Sequence, residues 1–147
     1  MVIHFVCRGN GLRSTMAEAY LRSLQLPEVE TLSSGTVIDE FKGMPVSPHG
    51  IAVLEHHGIA NYAKRVREQL TPERLARGDL TIFLNERVVD EARTIAPLPK
   101  RMAVWEVADM GEGSRQVKKA SDAEHFSVAM FGEIKAQIDA LVPQLVP

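Results

Sequence analysis

A single cysteine, Cys7, stands in the 147-residue chain. A disulfide scaffold is therefore excluded, and a lone thiol suits a reducing compartment, so the expected location is the cytoplasm. No apolar run approaches the roughly 20 residues that cross a bilayer, and no membrane partner is expected. The opening MVIHFVCRGNG lacks the basic start and long apolar stretch of a secretory signal. Charge of neither sign dominates: 17 Lys+Arg against 19 Asp+Glu leave −2, which argues against a nucleic-acid partner. No spacing of His, Cys and carboxylates resembles a zinc site, and the Walker pattern Gly-x-x-x-x-Gly-Lys-Ser/Thr is absent. Neither a metal, a cofactor nor a nucleotide is implied. No repeat, low-complexity tract or linker interrupts residues 1–147, which read as one domain.

What is present is ordinary globular material, 45% hydrophobic and 24% charged. At this length a fold buries roughly 70% of the surface of the extended chain. Residues 2–6 form a short apolar, β-branched run that predicts a strand buried on both faces. A loop over residues 7–13 leads into a helix whose apolar spacing runs over residues 15–24, and Thr15 and Glu18 at capping-box spacing predict its start within a residue of Ser14. Residues 30–32 predict a second strand, ending at the turn-prone Ser33-Ser34-Gly35. Residues 48–57 predict a helix stopped by Gly58, and Lys64, Arg65 and Arg67 read most simply as a solvated basic face, with attraction of a phosphorylated substrate as the alternative. Strands are predicted over 80–84 and 102–107, with a helix over 86–95 between them. Ser121 and Glu124 have the spacing of a second capping box. The helix they open carries Phe126, Met130, Ile134, Ile138, Leu141 and Leu145 mostly three or four residues apart. Alternating strands and helices predict an α/β fold: three layers, with a four-stranded parallel sheet between helices on both faces. In such sheets ligands bind beyond the carboxyl ends of the strands.

The loop Cys7-Arg8-Gly9-Asn10-Gly11-Leu12-Arg13-Ser14 occupies that position. Backbone N–H groups aimed inward, reinforced by the helix dipole, make a concavity that prefers an anion. Gly9 and Gly11 allow the close backbone approach this requires. Arg13 offers a planar fork of donors matched to two phosphate oxygens. Cys7 alone reads as a small buried hydrophobe, but at the floor of this loop the field that attracts phosphate also stabilises a thiolate. A nucleophile beside an oxyanion cradle is what displacement at phosphorus requires.

Cys-x5-Arg-Ser after the first strand, running into Met16-Ala17-Glu18-Ala19, resembles the phosphate-binding loop of the low-molecular-weight protein tyrosine phosphatases, commonly Cys-x-Gly-Asn-x-Cys-Arg-Ser-Pro-Met-Ala-Glu. Ser33-Ser34-Gly35-Thr36 resembles that family's Ser-Ala-Gly-Thr, Gly43-Met44-Pro45 its Gly-x-Pro, and the likeness extends through the closing helix. The resemblance implies the phosphotyrosine phosphatase I fold and a metal-free, two-step hydrolysis of phosphomonoesters. In that reading Cys7 attacks phosphorus and the loop (Arg8, Gly9, Asn10, Gly11, Leu12, Ser14) and Arg13 hold the phosphoryl oxygens. Asp109 protonates the leaving oxygen and then activates water to hydrolyse the phosphocysteine. Asn10 and Ser33 support the loop, and Ser14 donates to the thiolate. The implied partners are a phosphorylated protein or a small phosphomonoester, with phosphate as product and inhibitor.

The chain departs from the family pattern in four places. Leu12 replaces a frequent second cysteine, which removes a protective disulfide. Thr15 replaces Pro at the helix start. Met110 and Gly111 replace the Pro and aromatic after the acid, and are expected to loosen the acid loop and remove one wall of the aryl slot, for which Phe41 is a positional substitute. Gly11 replaces the Ile or Thr associated with phosphotyrosine or phosphoarginine preference. Glu106 and Glu112 are rival acids. Arsenate reduction through an external thiol, and phosphate or phosphoprotein binding without efficient turnover, are the alternative functions. His4, inside an apolar strand, reads as a packed, hydrogen-bonded residue.

Overall fold

The computed structural model describes residues 1–146; Pro147, the last residue of the expected domain, lies outside them. Four parallel strands, β1 (Val2–Cys7), β2 (Glu30–Gly35), β3 (Leu80–Phe83) and β4 (Met102–Val104), form a sheet in the order β2-β1-β3-β4. The chain leaves β1 toward β2 on one side and later returns to place β3 on the other. The end of β1 is thus the switch point at which open α/β sheets form a crevice.

Side-chain alternation sorts the strands into two buried faces. Ile3, Phe5 and Cys7 of β1 and Ile82 of β3 join one core with Met16, Leu54, Phe131 and Ile134. That core sits beneath α1 (Arg13–Ser23), α2 (Pro48–His56) and α5 (Ala120–Leu145). Val6 and Phe83 point the other way, into a smaller core with Leu75, Val88 and Ala92. Those residues belong to α3 (Pro72–Arg77) and α4 (Glu86–Arg93). The sheet therefore lies between two helical layers.

Local chemistry accounts for the differences from sequence expectation. β2 runs on through Ser33, Ser34 and Gly35 because all six of its residues pair in register with β1. Helix α3, absent from the expected elements, starts at Pro72, with the Thr71 hydroxyl accepting from Arg74 N at 3.1 Å. That combination is a normal helix start. Helix α1 begins at Arg13, within a residue of Ser14 as expected, but does not form the Thr15/Glu18 box; the Thr15 hydroxyl donates back to Leu12 O at 3.0 Å and Glu18 is buried. The α5 cap also moves: the Asp122 carboxylate, rather than the Ser121/Glu124 pair, accepts from the N–H groups of Lys118 and Lys119. β4 is shorter than residues 102–107, yet Trp105 N and Val107 N still donate to the carbonyls of Phe83 and Leu84, carrying the chain straight from the sheet edge to Asp109.

Candidate active site

The loop after β1 is anchored through its carbonyls. Those of Arg8, Gly9 and Gly11 accept from Val37 N, Arg67 Nη1 and Ser47 N at 2.9, 3.0 and 2.8 Å. None of these bonds uses a loop N–H, so the amide donors are left for the hollow. Asn10 N donates to Cys7 Sγ at 3.3 Å. The Ser14 hydroxyl lies 2.9 Å from the same sulfur. It accepts from Asn10 Nδ2 at 2.9 Å, which leaves its proton free for the sulfur.

Asn10 holds the turn. Its φ is 49°, a left-handed conformation that non-glycine residues adopt at some cost. Three side-chain bonds keep it there: Nδ2 donates to Ser14 Oγ and to Ser33 Oγ at 3.1 Å, and Oδ1 accepts from Glu68 N at 2.8 Å. Gly35 on the neighbouring strand closes against this turn; a Cβ there would meet Arg8 O and Asn10 N at 2.7 Å.

Arg13, 2% exposed, reaches from the first turn of α1 to Val107 O at 2.9 Å and Asp109 Oδ2 at 3.2 Å. Its charge is buried with a partner, the condition under which a desolvated guanidinium is tolerated. Asp109 keeps one third of its side chain exposed. The loop around it is tied by hydrogen bonds, despite Met110 and Gly111. Glu112 Oε1 accepts from Asp109 N at 2.7 Å and from Asn85 Nδ2 at 3.0 Å. Arg115 ties Ala108 O to Glu133 of α5. Burial alone would raise the Glu112 carboxyl, but the Asp109 amide and the nearby Arg13 and Arg87 outweigh it and hold the group below its ordinary value. Carboxylate bonds thus do the bracing assigned by resemblance to Pro and an aromatic. Glu112, read from sequence as a rival acid, accepts the Asp109 amide.

The resulting cleft, about 190 Å³, has Cys7 at its floor and Phe41, Met110 and Arg67 among its walls. Arg8 also borders it, but its guanidinium is turned to Glu91 at 2.9 Å and Glu40 at 3.1 Å. Leu12 lines the cleft and supplies the residue before α1.

Of the basic stretch only Arg65 is exposed; Lys64 and Arg67 are turned into the structure. Lys64 Nζ donates to Ser33 O at 2.9 Å and pairs with Glu68 at 3.2 Å. Burial lowers the lysine's pKa. Arg67 lies across the loop, over the Phe41 ring at 4.3 Å. Ser33 and Gly9 lie 31 and 58 positions from Lys64 and Arg67, and no spacing in the sequence marks those contacts. Behind the loop, His4 Nε2 lies 2.8 Å from Ser34 Oγ, which accepts from Arg74 Nε at 2.8 Å. Burial, with the positive charges of Arg74, Lys64 and Arg77, drops His4 to about 3. Among the described residues, no group of three or more His, Cys, Asp and Glu is placed to hold a metal ion.

A family model described as low molecular weight phosphotyrosine protein phosphatase matches residues 2–146. A probable low molecular weight protein-tyrosine-phosphatase, EpsP, of Ralstonia nicotianae is 31% identical over 144 residues, covering 95% of this chain and 92% of that one. A protein-arginine-phosphatase of Geobacillus stearothermophilus is 47% identical over 57 residues, 39% of this chain and 37% of the relative. The solved structure of Vibrio vulnificus Wzb in complex with benzylphosphonate shares the fold, with a TM-score of 0.73 at 22% identity over 95% of this chain and 98% of that one.

Proposed function

This chain belongs to the low molecular weight phosphotyrosine protein phosphatase family, the cysteine-based phosphatases, and we propose that it hydrolyses phosphomonoesters through a phosphocysteine on Cys7. The Cys7 sulfur attacks phosphorus in line with the leaving oxygen; the S–P bond forms as the P–O bond breaks. The Asp109 carboxylic acid gives its proton to the departing oxygen. Arg13 and the loop amides hold the equatorial oxygens, where charge accumulates. The incoming phosphoryl group competes with Asp109 for Arg13 Nη2 and frees the carboxyl for that transfer. In the second step water gives a proton to the Asp109 carboxylate and attacks phosphorus, the S–P bond breaks, and inorganic phosphate leaves. A phosphorylated protein is the proposed substrate and the cytoplasm the proposed location. The names of the relatives, which include a phosphotyrosine and an arginine phosphatase, support a phosphoprotein. They do not favour arsenate reduction or simple binding.

The observation that carries this reading is Cys7 Sγ, held at 3.3 Å from Asn10 N and 2.9 Å from Ser14 Oγ in the cleft shared with Arg13 and Asp109. The test is hydrolysis of p-nitrophenyl phosphate in the presence of a chelator, with rapid acid quench to trap phosphoenzyme. Wild-type protein is expected to turn over and to gain the mass of one phosphoryl group on the Cys7 peptide. Cys7→Ser is expected to lose at least about a thousandfold in kcat. Wild-type-like turnover by that variant rejects the mechanism.

A further inference from the structure

Three guanidinium groups border the cleft, and two of them are neutralised. Arg8 is paired with Glu40 and Glu91, and Arg13 with Asp109. Arg67 takes part in no ion pair among the described residues; its bonds go to the carbonyls of Pro45 and Gly9, both at 3.0 Å. These engage two of its five N–H donors. Burial lowers its pKa, opposed by the negative charge of Cys7, so it is a partly desolvated cation beside the nucleophile.

Its position is fixed by the residue across from it. A Cβ on Gly11 would fall 2.2 Å from Arg67 Nη1, so the guanidinium fills the space that a side chain at position 11 would take. Stacking on Phe41, and the bridges of Val66 to Pro45 and Gln69 to Gly35, hold the segment in place. Phe41 and Arg67 also line a neighbouring groove, formed further by Met44, Pro45 and Val66 and edged by Lys42 and Arg65. Met44 and Val66 are both exposed there.

We propose that Arg67 is a specificity-determining residue that selects phosphopeptides carrying a carboxylate next to the phosphorylated residue, whose chain then lies along the Met44–Val66 groove. The inference rests on the phosphatase reading and deepens it. A group with three free donors and no counter-ion gains most from a substrate that supplies one, and it repels a positive neighbour. The groove shares Phe41 and Arg67 with the cleft and has a basic edge, which favours a polypeptide over a small ester.

The test compares kcat/KM on three phosphotyrosyl peptides that differ only in Asp, Ala or Lys beside the phosphotyrosine. Wild type is expected to prefer Asp to Ala by about tenfold, ~1.4 kcal/mol, and Ala to Lys by several-fold. Raising salt from 0.05 to 0.5 M should shrink both ratios, because a partly exposed pair is screened. Arg67→Met should bring the ratios to about one, and Arg67→Lys should restore part of them. A merely structural role, holding the Gly9 carbonyl, lowers all three substrates by one factor and leaves the ratios intact; that result overturns the proposal. So does a wild type indifferent to the flanking residue, a measurement that stands even if the variants fail to fold. Better turnover of 3-carboxyphenyl phosphate than of the Asp peptide overturns the choice of a polypeptide. Turnover of p-nitrophenyl phosphate by the same wild-type preparation separates these outcomes from failure of the phosphatase reading itself.

Discussion

Asp109 Oδ2 lies 3.2 Å from Arg13 Nη2, joining residues 96 positions apart across the mouth of the cleft. The contact places a carboxyl beside the fork that is to hold the phosphoryl group, close enough to reach a leaving oxygen on its outer side. Asp109→Asn keeps the shape and removes the proton. It is expected to slow esters with poor leaving groups by about 10²- to 10⁴-fold and p-nitrophenyl phosphate far less. Equal, small effects on both would move the acid elsewhere.

Glu112 braces that acid. Glu112→Gln keeps an oxygen for Asp109 N and Asn85 Nδ2 but loses attraction to Arg13 and sets an NH2 toward Arg87 in place of Oε2, at an expected cost of roughly 1–2 kcal/mol in stability. Because the carboxyl's folded value lies below its ordinary 4.5, its contribution is present above that pH and is lost as pH falls through the folded value. Urea melts should show the wild-type advantage at pH 7 and its loss under strong acid. An advantage independent of pH would refute the electrostatic account.

Asn10 keeps a left-handed turn by three side-chain bonds. Asn10→Ala should destabilise by roughly 2–4 kcal/mol, combining lost bonds with backbone strain, and weaken inorganic phosphate as an inhibitor at least about tenfold. Asn10→Gly relieves only the backbone part, so it should recover stability more than phosphate affinity. Equal recovery of both would show that the side-chain bonds do not shape the cradle. Denaturant melts and inhibition constants supply the comparison.

His4 is buried and neutral, with a folded value of about 3 against 6.5 in the unfolded chain. The unfolded state therefore takes the proton first. The stability this group contributes is intact above pH 6.5 and falls toward pH 3, at up to ~1.4 kcal/mol per pH unit. His4→Asn removes the titration and retains a polar partner for Ser34. Between pH 7.5 and 5 it should lose less stability than wild type in thermal or denaturant melts; parallel losses would contradict the assignment.

How much was legible in the chain depends on distance along it. Residues 2–14 announce a buried strand, a glycine-bearing turn and a helix start, because strand periodicity, turn conformation and helix-end polarity are all local properties. The parallel sheet followed from alternation of such units, and the cradle from Cys7, Gly9, Gly11 and Arg13 together. Boundaries were less legible: β2 is prolonged by its pairing with β1 and the α5 cap is made by Asp122, both outcomes of bonds that local spacing does not specify.

What tertiary structure alone decided is which distant groups complete the site. The register of β1 with β2 brings Ser33 to Asn10, and those of β1 with β3 and of β3 with β4 carry the chain to Asp109 opposite Arg13. The bridge of Val66 to Pro45 lays Arg67 over Gly11. A glycine read alone signifies backbone freedom. Only the packed fold shows that the space it leaves is filled by a cation, because excluded volume and charge act between neighbours in space, whatever their separation in sequence.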